Sequence, residues 1–197
     1  LETSLELTTA ARALIDDQIF EWHRQAQGYK IRHVPATLPD MLKTDDTLEW
    51  EYTEHLGRTT EDAINAARDR LDWMRGSSSD FEIVIAQHEL ESMCRAEGYY
   101  RTLPCDVRIA QIERMIELVD QLYPRMRVYL YNARMIYSSP MTVFGPQLAV
   151  LYLGQNYMAF RDSQRIEGFS NHFDRVVREA RITSRELGAV LAKFLPS

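Results

Sequence analysis

The chain has 197 residues and a mass of 23.0 kDa, with 45% hydrophobic and 26% charged residues, the composition of one ordinary globular domain. No apolar run is long enough to cross a membrane, and the acidic N-terminus lacks the basic start of a secretory signal. Within a formal net charge of −6, six carboxylates between Asp40 and Glu54 face a single Lys43. We therefore expect repulsion of phosphate and no nucleic-acid binding by this chain alone.

Two cysteines, Cys94 and Cys105, are too few for a disulfide framework and favour a reducing, cytoplasmic setting. The chain begins with Leu1 rather than methionine, which we interpret as a sign that it is part of a longer protein. We therefore expect a piece of a cytoplasmic protein that makes no contact with a membrane.

The predicted elements of the first half alternate between helices and strands. Thr8 and Thr9 can cap a first helix, which Gly28 ends. The segment 81–86 is apolar on both faces, which is typical of a buried strand. In chain order the predictions are a helix over 8–27, a strand over 29–34, short helical turns over 38–56, a helix over 59–76, a strand over 81–86 and a short helix over 88–96.

The second half contains the strongest helical pattern, which Asp106 caps and Pro124 ends. After it we predict strands over 126–132, over 142–153 with a break near Gly145-Pro146, and over 157–161, then helices over 162–180 and 183–194. The last two strands form an antiparallel hairpin through the turn at 154–156. The predicted fold class is α+β, or mixed α/β: a single domain with a mixed sheet of about five strands covered by helices.

The sequence lacks the standard motifs of nucleotide-binding and hydrolytic sites. It contains no glycine-rich phosphate loop, no G-x-S-x-G turn and no histidine followed two positions later by lysine, the pattern of a phospholipase D nucleophile. His88 and Glu89 begin an H-E-x-x-H zinc motif, but Ser92 stands where the second histidine belongs. We therefore expect no catalytic residue, no metal and no cofactor, and predict that the chain is not an enzyme.

One alternative is a small enzyme that uses an acid–base pair. Glu51 and His55 are spaced i, i+4 on a predicted helical turn, and His88 is a third candidate acid or base. The same spacing arises by chance in acidic helices, so a solvated acidic face is the favoured explanation.

Aromatic residues cluster in the strands of the second half and suggest a binding pocket. Tyr129 and Tyr131 share a strand face with Arg127, and such a face can build a pocket for an aromatic or anionic small molecule. A tyrosine-rich core face under helices is the alternative. The candidate ligand-binding residues are Arg127, Tyr129, Tyr131, Phe144, Tyr152, Tyr157 and Phe160.

The first helix carries apolar residues on more than one face, which suits contact with a second subunit. Its main stripe includes Ile15, Ile19 and Trp22, and these are the candidate dimer contacts. We accordingly predict a connecting and dimerising helix over 1–27, followed by an effector domain over 28–197.

Several segments of the chain match one family in pattern. Residues 39–44, Pro-Asp-Met-Leu-Lys-Thr, stand where that family has a Pro-Gly-Leu-Leu-Gln-Thr-like turn, and 81–90 match its buried strand leading into a short helix. Residues 111–152 and the later Phe173-Asp174-Arg175 match its C-terminal half. The chain resembles the uncharacterised effector domain that follows the helix-turn-helix of many bacterial Cro/C1-type (XRE) regulators, the WhiJ-like group.

This resemblance implies a regulatory sensor or effector domain of a bacterial transcription factor. Such a domain forms a homodimer and binds a small molecule or a partner protein, and DNA is reached only through an N-terminal helix-turn-helix that this chain does not contain. The family has no agreed catalytic residues to transfer. A protein-interaction module without a ligand, which docks a basic partner on the acidic face over 40–54, is a further alternative.

Overall fold

A computed structural model of the chain describes residues 5–9, 12–52, 59–154 and 156–196, with side chains from residue 18 onward. Its strands are β1 (Leu5–Thr9), β2 (Ile31–Val34), β3 (Phe81–Ala86), β4 (Met126–Tyr131), β5 (Met141–Phe144), β6 (Leu148–Leu153) and β7 (Asn156–Phe160). Its helices are α1 (Arg12–Gln25), α2 (Asp45–Tyr52), α3 (Thr60–Gly76), α4 (Gln87–Arg95), α5 (Cys105–Leu122), α6 (Ser163–Arg178) and α7 (Ser184–Ala192). Single 3-10 turns lie at Asp40–Leu42 and Gly98–Tyr100. None of these described helices combines the length and apolarity that a membrane span requires.

The strands form one mixed sheet in the order β1-β7-β6-β5-β2-β3-β4. β2, β3 and β4 are parallel to one another, and the remaining pairs are antiparallel. Helices connect the parallel strands, since α2 and α3 lie between β2 and β3 in the chain, and α4 and α5 between β3 and β4. The predicted fold class, a mixed α+β domain with a C-terminal antiparallel hairpin, is confirmed.

The sheet has seven strands where about five were predicted, for two physical reasons. The predicted strand over 142–153 is two strands, because Gly145 takes a positive φ of 53° and turns the chain between β5 and β6. In addition, Leu5–Thr9 is the edge strand β1, paired with β7. The helix predicted from Thr8 therefore begins only at Arg12.

Helices cover both faces of the sheet. On one face, Phe173 and Val176 of α6 pack against Val34, Tyr131 and Met141. On the opposite face, α1, α3, α4, α5 and α7 contribute to the largest core cluster, whose members include Trp22, Met74, Met93, Met115 and Leu187. The apolar character of β3 on both faces follows from this arrangement, since parallel strands between two helical layers are buried on each side.

Polar side chains cap the start of three helices. Thr59 accepts a hydrogen bond from the backbone N–H of Asp62 at the start of α3, and Asp162 accepts one from Arg165 at the start of α6. Thr183 and Glu186 form a capping box at the start of α7. These caps satisfy N–H groups that have no partner within the helix.

The candidate dimer contacts of α1 lie inside the molecule. Ile19 and Trp22 are buried in the main core, and the Trp22 ring packs edge-on against Phe144 and Tyr157. Their side chains are therefore not on a surface that a second subunit can contact. Ile15 has its side chain outside the described residues. Dimerisation, and the division into 1–27 and 28–197, stay predictions.

The outer edge of β4 is covered by the segment that leads into α7. The backbone N–H of Leu130 donates to the carbonyl of Ile182 at 2.9 Å, and the N–H of Arg181 donates to the carbonyl of Leu130 at 3.1 Å. The N–H of Val128 donates to the Ser184 hydroxyl at 3.2 Å. The hydrogen-bonding groups at this sheet edge are thus occupied by the chain itself.

Candidate active site at the carboxyl edge of the parallel strands

The parallel strands β2, β3 and β4 end at the same edge of the sheet. In open α/β sheets, ligands bind in the crevice outside the carboxyl ends of the parallel strands. In this chain the segments that leave this edge are 35–39 after β2, the start of α4 after β3, and 132–140 after β4. The helix that packs over these segments is α6.

Ser138 and His172 meet at this edge. Ser138 lies in the segment between β4 and β5, and His172 lies on α6 beside the buried Phe173. The His172 Nε2 atom is 3.1 Å from the Ser138 hydroxyl oxygen. A hydroxyl within hydrogen-bond distance of an imidazole is the basic arrangement of a nucleophile and its general base.

The charge state of His172 suits the role of a base. Burial lowers its pKa below the ordinary value of 6.5, and the neighbouring positive charge of Arg175 lowers the pKa further. The ring is therefore neutral at pH 7 and has one nitrogen free to accept a proton.

The Ser138 hydroxyl has two acceptors for its single proton. Its oxygen lies 3.1 Å from the Ser139 carbonyl oxygen and 3.1 Å from His172 Nε2. When the hydroxyl donates to the carbonyl, the imidazole donates to the hydroxyl; when it donates to Nε2, the imidazole is placed to remove its proton. The second arrangement is the reactive one.

Solvent reaches the surroundings of this pair. Ser138 itself is 9% exposed, but the adjacent Tyr137 is 75% exposed and His172 is half-buried. The Ser139 hydroxyl donates a long hydrogen bond of 3.4 Å to the Tyr137 hydroxyl. Solvent therefore lies next to the pair on the Tyr137 side.

The predicted ligand-binding residues do not converge on one pocket. Strand register places Arg127, Tyr129, Tyr131 and Phe160 on the face under α6. The same register places Phe144, Tyr152 and Tyr157 on the opposite face, where they pack in the main core.

Arg127, the charged residue of the predicted ligand-binding set, is already engaged in ion pairs. Arg127 bridges Asp80 and Glu82, with distances of 3.8 Å and 3.3 Å from its Nη2 atom. Tyr131, Phe144 and Tyr157 are buried core residues. Most of these residues therefore belong to the core, which is the alternative to a pocket that the sequence left open.

Glu51 and His88, the two described members of the acid–base alternative that also includes His55, share no hydrogen bond or ion pair. The Glu51 carboxylate is held by Lys43 and accepts a 2.8 Å hydrogen bond from the Tyr99 hydroxyl. His88 is exposed on the first turn of α4. His55 lies outside the described residues, among which no group of three or more histidine, cysteine or acidic side chains could hold a metal ion.

The Ser138–His172 pair could not be predicted from the sequence, because 34 positions separate the two residues. A partial signal was present. His172 lies next to Phe173, which belongs to the apolar stripe of a predicted helix, and Ser138 lies between two predicted strands. Only the packing of α6 over the end of β4 brings them together.

No protein-family model matches the chain, and no curated protein is significantly similar to it in sequence. Among solved structures, it is similar to TrmBL2, an archaeal chromatin protein, with 11% identity and a TM-score of 0.47 over 89% of this chain and 49% of that chain. The chain thus spans about half the length of TrmBL2.

Two further similar structures match over nearly their whole length. Nuc from Salmonella typhimurium, a phospholipase D family member, has 14% identity and a TM-score of 0.48 over 91% of this chain and 97% of its own. NucT from Helicobacter pylori has 8% identity and a TM-score of 0.46 over 91% of this chain and 98% of that chain.

These neighbours contradict the predicted function. None of the three is described as a domain of a Cro/C1-type regulator, and one is a phospholipase D family member, so the predictions of a regulatory effector domain and of a chain that is not an enzyme are not maintained. The alternative of a small enzyme agrees with them better. At such identities and TM-scores no residue role transfers, so the chemistry follows from this chain's own residues. The resemblance to WhiJ-like domains stays a prediction.

Proposed function

We propose that the chain is a small hydrolase that cleaves an ester through a serine nucleophile. The observation that carries this proposal is the 3.1 Å contact between the Ser138 hydroxyl and Nε2 of a neutral His172. Its position at the carboxyl edge of β2, β3 and β4 supports it, because that edge is where ligands bind in open sheets of this kind.

The reaction has two halves. His172 Nε2 takes the hydroxyl proton as Ser138 Oγ bonds to the carbonyl carbon; the ester C–O bond then breaks, and the proton passes to the departing alkoxide. Water next attacks the acyl-serine and gives one proton to His172. The Oγ–acyl bond breaks, the acid leaves, and His172 returns the proton to Ser138.

The surroundings of His172 limit the rate of this chemistry. Its Nδ1 makes no hydrogen bond to any side chain or carbonyl in the part of the chain that the structure describes, so no described carboxylate orients the ring. Without a carboxylate partner, the imidazolium that forms during the reaction is less well stabilised. We therefore expect turnover of activated esters, whose leaving groups need little protonation.

The test uses a fluorophosphonate probe, which labels activated serines, together with hydrolysis of p-nitrophenyl acetate. We expect labelling of the intact chain at Ser138. Ser138→Ala should abolish labelling and lower kcat/KM by at least about 100-fold, and His172→Gln should do the same because both need the general base. Ser139→Ala is the matched control, since it removes the neighbouring hydroxyl and leaves the pair in place.

Three outcomes refute the proposal. The first is labelling or turnover that survives Ser138→Ala, and the second is equal loss in Ser139→Ala. The third is a wild-type chain that neither takes up the probe nor hydrolyses the ester faster than free imidazole. Circular dichroism of each variant separates loss of chemistry from loss of fold.

We also propose that the protein works in a reducing, cytoplasmic setting. Cys94 is buried and Cys105 is exposed, and each is a free thiol. Burial raises the pKa of the Cys94 thiol to about 12, so it stays protonated and packs as a small apolar group.

A further inference from the structure

The segment that carries Ser138 exposes two large hydrophobic side chains to solvent. Met135 is 66% exposed and Tyr137 is 75% exposed, the two highest values among the large hydrophobic side chains that the structure describes. Ala133 and Ile136, by contrast, are partly buried against the core under α6. The segment therefore packs one side inward and turns Met135 and Tyr137 outward.

The outward position of Met135 is set by a hydrogen-bonded turn. The backbone N–H groups of Met135 and Ile136 both donate to the Asn132 carbonyl, at 2.9 Å and 3.2 Å. The N–H of Arg134 donates to the side-chain oxygen of Asn132 at 2.9 Å. Because the backbone of the turn is already held, a ligand that contacts Met135 loses little binding free energy to the ordering of this segment.

Tyr137 lies alongside the proposed nucleophile. Its hydroxyl accepts a 3.4 Å hydrogen bond from the Ser139 hydroxyl. The side chain thus starts at residue 137 and ends beside residue 139, so its ring spans the position of Ser138 and keeps most of its surface in solvent. Met135 is three residues from Ser138, which limits the distance between their Cα atoms to about 11 Å.

An acyl group attached to Ser138 must extend from Ser138 toward exposed neighbours, because Ser138 itself is only 9% exposed. Within residues 135–141, the exposed side chains are those of Met135 and Tyr137. On the α6 side of the pair, the exposed neighbour one turn from His172 is Arg175, a charged group that favours water over an alkyl chain. The surroundings of Ser138 therefore favour an apolar acyl chain on the Met135–Tyr137 side.

We propose that the substrate of this site is an ester of an extended alkyl acid, whose acyl chain lies against Met135 and Tyr137. This inference rests on the proposed hydrolase and adds its substrate class. A methionine side chain adapts its shape to an alkyl chain, and an exposed aromatic ring offers a flat apolar surface. Each methylene fully removed from water gains up to about fourfold in binding, and a chain on an open surface gains part of that.

The experiment compares p-nitrophenyl hexanoate with p-nitrophenyl acetate, which differ only in the length of the acyl chain. Each kcat/KM is divided by the rate constant of the same ester with free imidazole, which corrects for the intrinsic reactivity of the ester. We expect the wild-type chain to prefer hexanoate by at least about tenfold. The preference should lie mainly in KM, because the chain contacts the protein before and during the reaction alike.

Met135→Ser should lower this preference by at least about threefold, because it removes half of the apolar surface. Met135→Leu is the matched control, since it keeps an apolar side chain at the same place and should keep the preference. The double variant with Tyr137→Ser should have no preference left. Circular dichroism of each variant confirms that it is folded.

The outcomes separate this inference from the proposed hydrolase. If the wild-type chain hydrolyses neither ester faster than free imidazole, the hydrolase fails and the substrate class fails with it. If acetate is hydrolysed through Ser138 but hexanoate is not preferred, only the substrate class is overturned. A preference that survives the loss of both side chains overturns it too, because another surface then binds the acyl chain.

Discussion

The ammonium nitrogen of Lys43 lies 2.8 Å from Oδ1 of Asp40 in a place where only 1% of the lysine side chain is exposed. Glu51 holds the same ammonium from a second side. Burial alone lowers the pKa of Lys43, but the two carboxylates more than offset it, so its pKa lies above the ordinary value. Burial likewise raises and Lys43 lowers the pKa of Asp40, with a net decrease. This ion cluster joins the Asp40–Leu42 turn to α2.

Removal of Lys43 should destabilise the protein strongly. Lys43→Met leaves two carboxylates in a largely buried place without their cation, a situation that costs about 3–5 kcal/mol. We expect this loss in the free energy of unfolding measured by urea denaturation at pH 7. Arg75→Met is the control, because it breaks an exposed ion pair with Asp72 and should cost less than about 1 kcal/mol. Equal costs in the two variants would contradict the prediction.

Two partly buried histidines should make stability depend on pH. Burial lowers the pKa of His33 to about 4 and that of His23 to about 3, whereas both titrate near 6.5 in the unfolded chain. Below pH 6.5 the unfolded state therefore binds protons on these two imidazoles that the folded state does not bind. Stability is complete above pH 6.5 and is lost as the pH falls, by about 1.4 kcal/mol per pH unit for each histidine.

Urea unfolding between pH 7 and pH 5 measures this slope, since most carboxylates stay ionised there. His33→Gln should reduce the slope by about half, because one of the two titrating groups is gone. His88→Gln should leave it unchanged, because His88 is exposed. A slope that is flat, or that responds equally to both variants, would show that these two rings are not responsible.

Gly145 should tolerate no side chain. Its φ is +53°, and a Cβ atom there would lie 2.5 Å from the Cβ of Tyr29, a position that the Tyr29 side chain cannot vacate by rotation. Gly145→Ala should therefore cost more than the roughly 1–2 kcal/mol of a left-handed alanine. Gly154→Ala is the control, with a similar φ of +70° and no atom within 4 Å. The difference between the two unfolding free energies reports the contact with Tyr29.

Ester hydrolysis should rise with pH and have its midpoint below pH 6.5, the ordinary pKa of histidine. The pKa of His172 lies below 6.5 because of burial and Arg175, so the ring is already a free base at neutral pH. Arg175→Gln removes the nearby charge and should move the profile to higher pH. Arg178→Gln, one turn along α6, should move it less. A profile with its midpoint above pH 7 would rule out His172 as the base.

The sequence predicted those elements whose own residues carry the signal of burial or of helix capping. β3 was predictable because five of its six residues are apolar and lie on both faces. α7 was predictable because Thr183 and Glu186 carry its capping signature in four residues. β1 was not, since Leu5–Thr9 is a strand only through its pairing with β7, about 150 positions away.

Site residues were harder to predict for the same reason. The tyrosines of β4 and β6 are close in sequence, but strand alternation sends Tyr131 and Tyr152 to opposite faces of the sheet. Conversely, Ser138 and His172 are far apart in the chain and meet through the packing of α6. Spacing along one strand or helix carries no information about such a contact.

The backbone bonds between β4 and residues 181–184 have a consequence for the behaviour of the protein in a crowded solution. Such an edge, if bare, is a template on which a foreign strand can add. Here Ile182 and Ser184 already occupy the positions that an incoming strand would need. Loosening of the start of α7 would therefore open this edge of β4 to pairing with a strand of another molecule, so residues 181–184 guard the edge against aggregation.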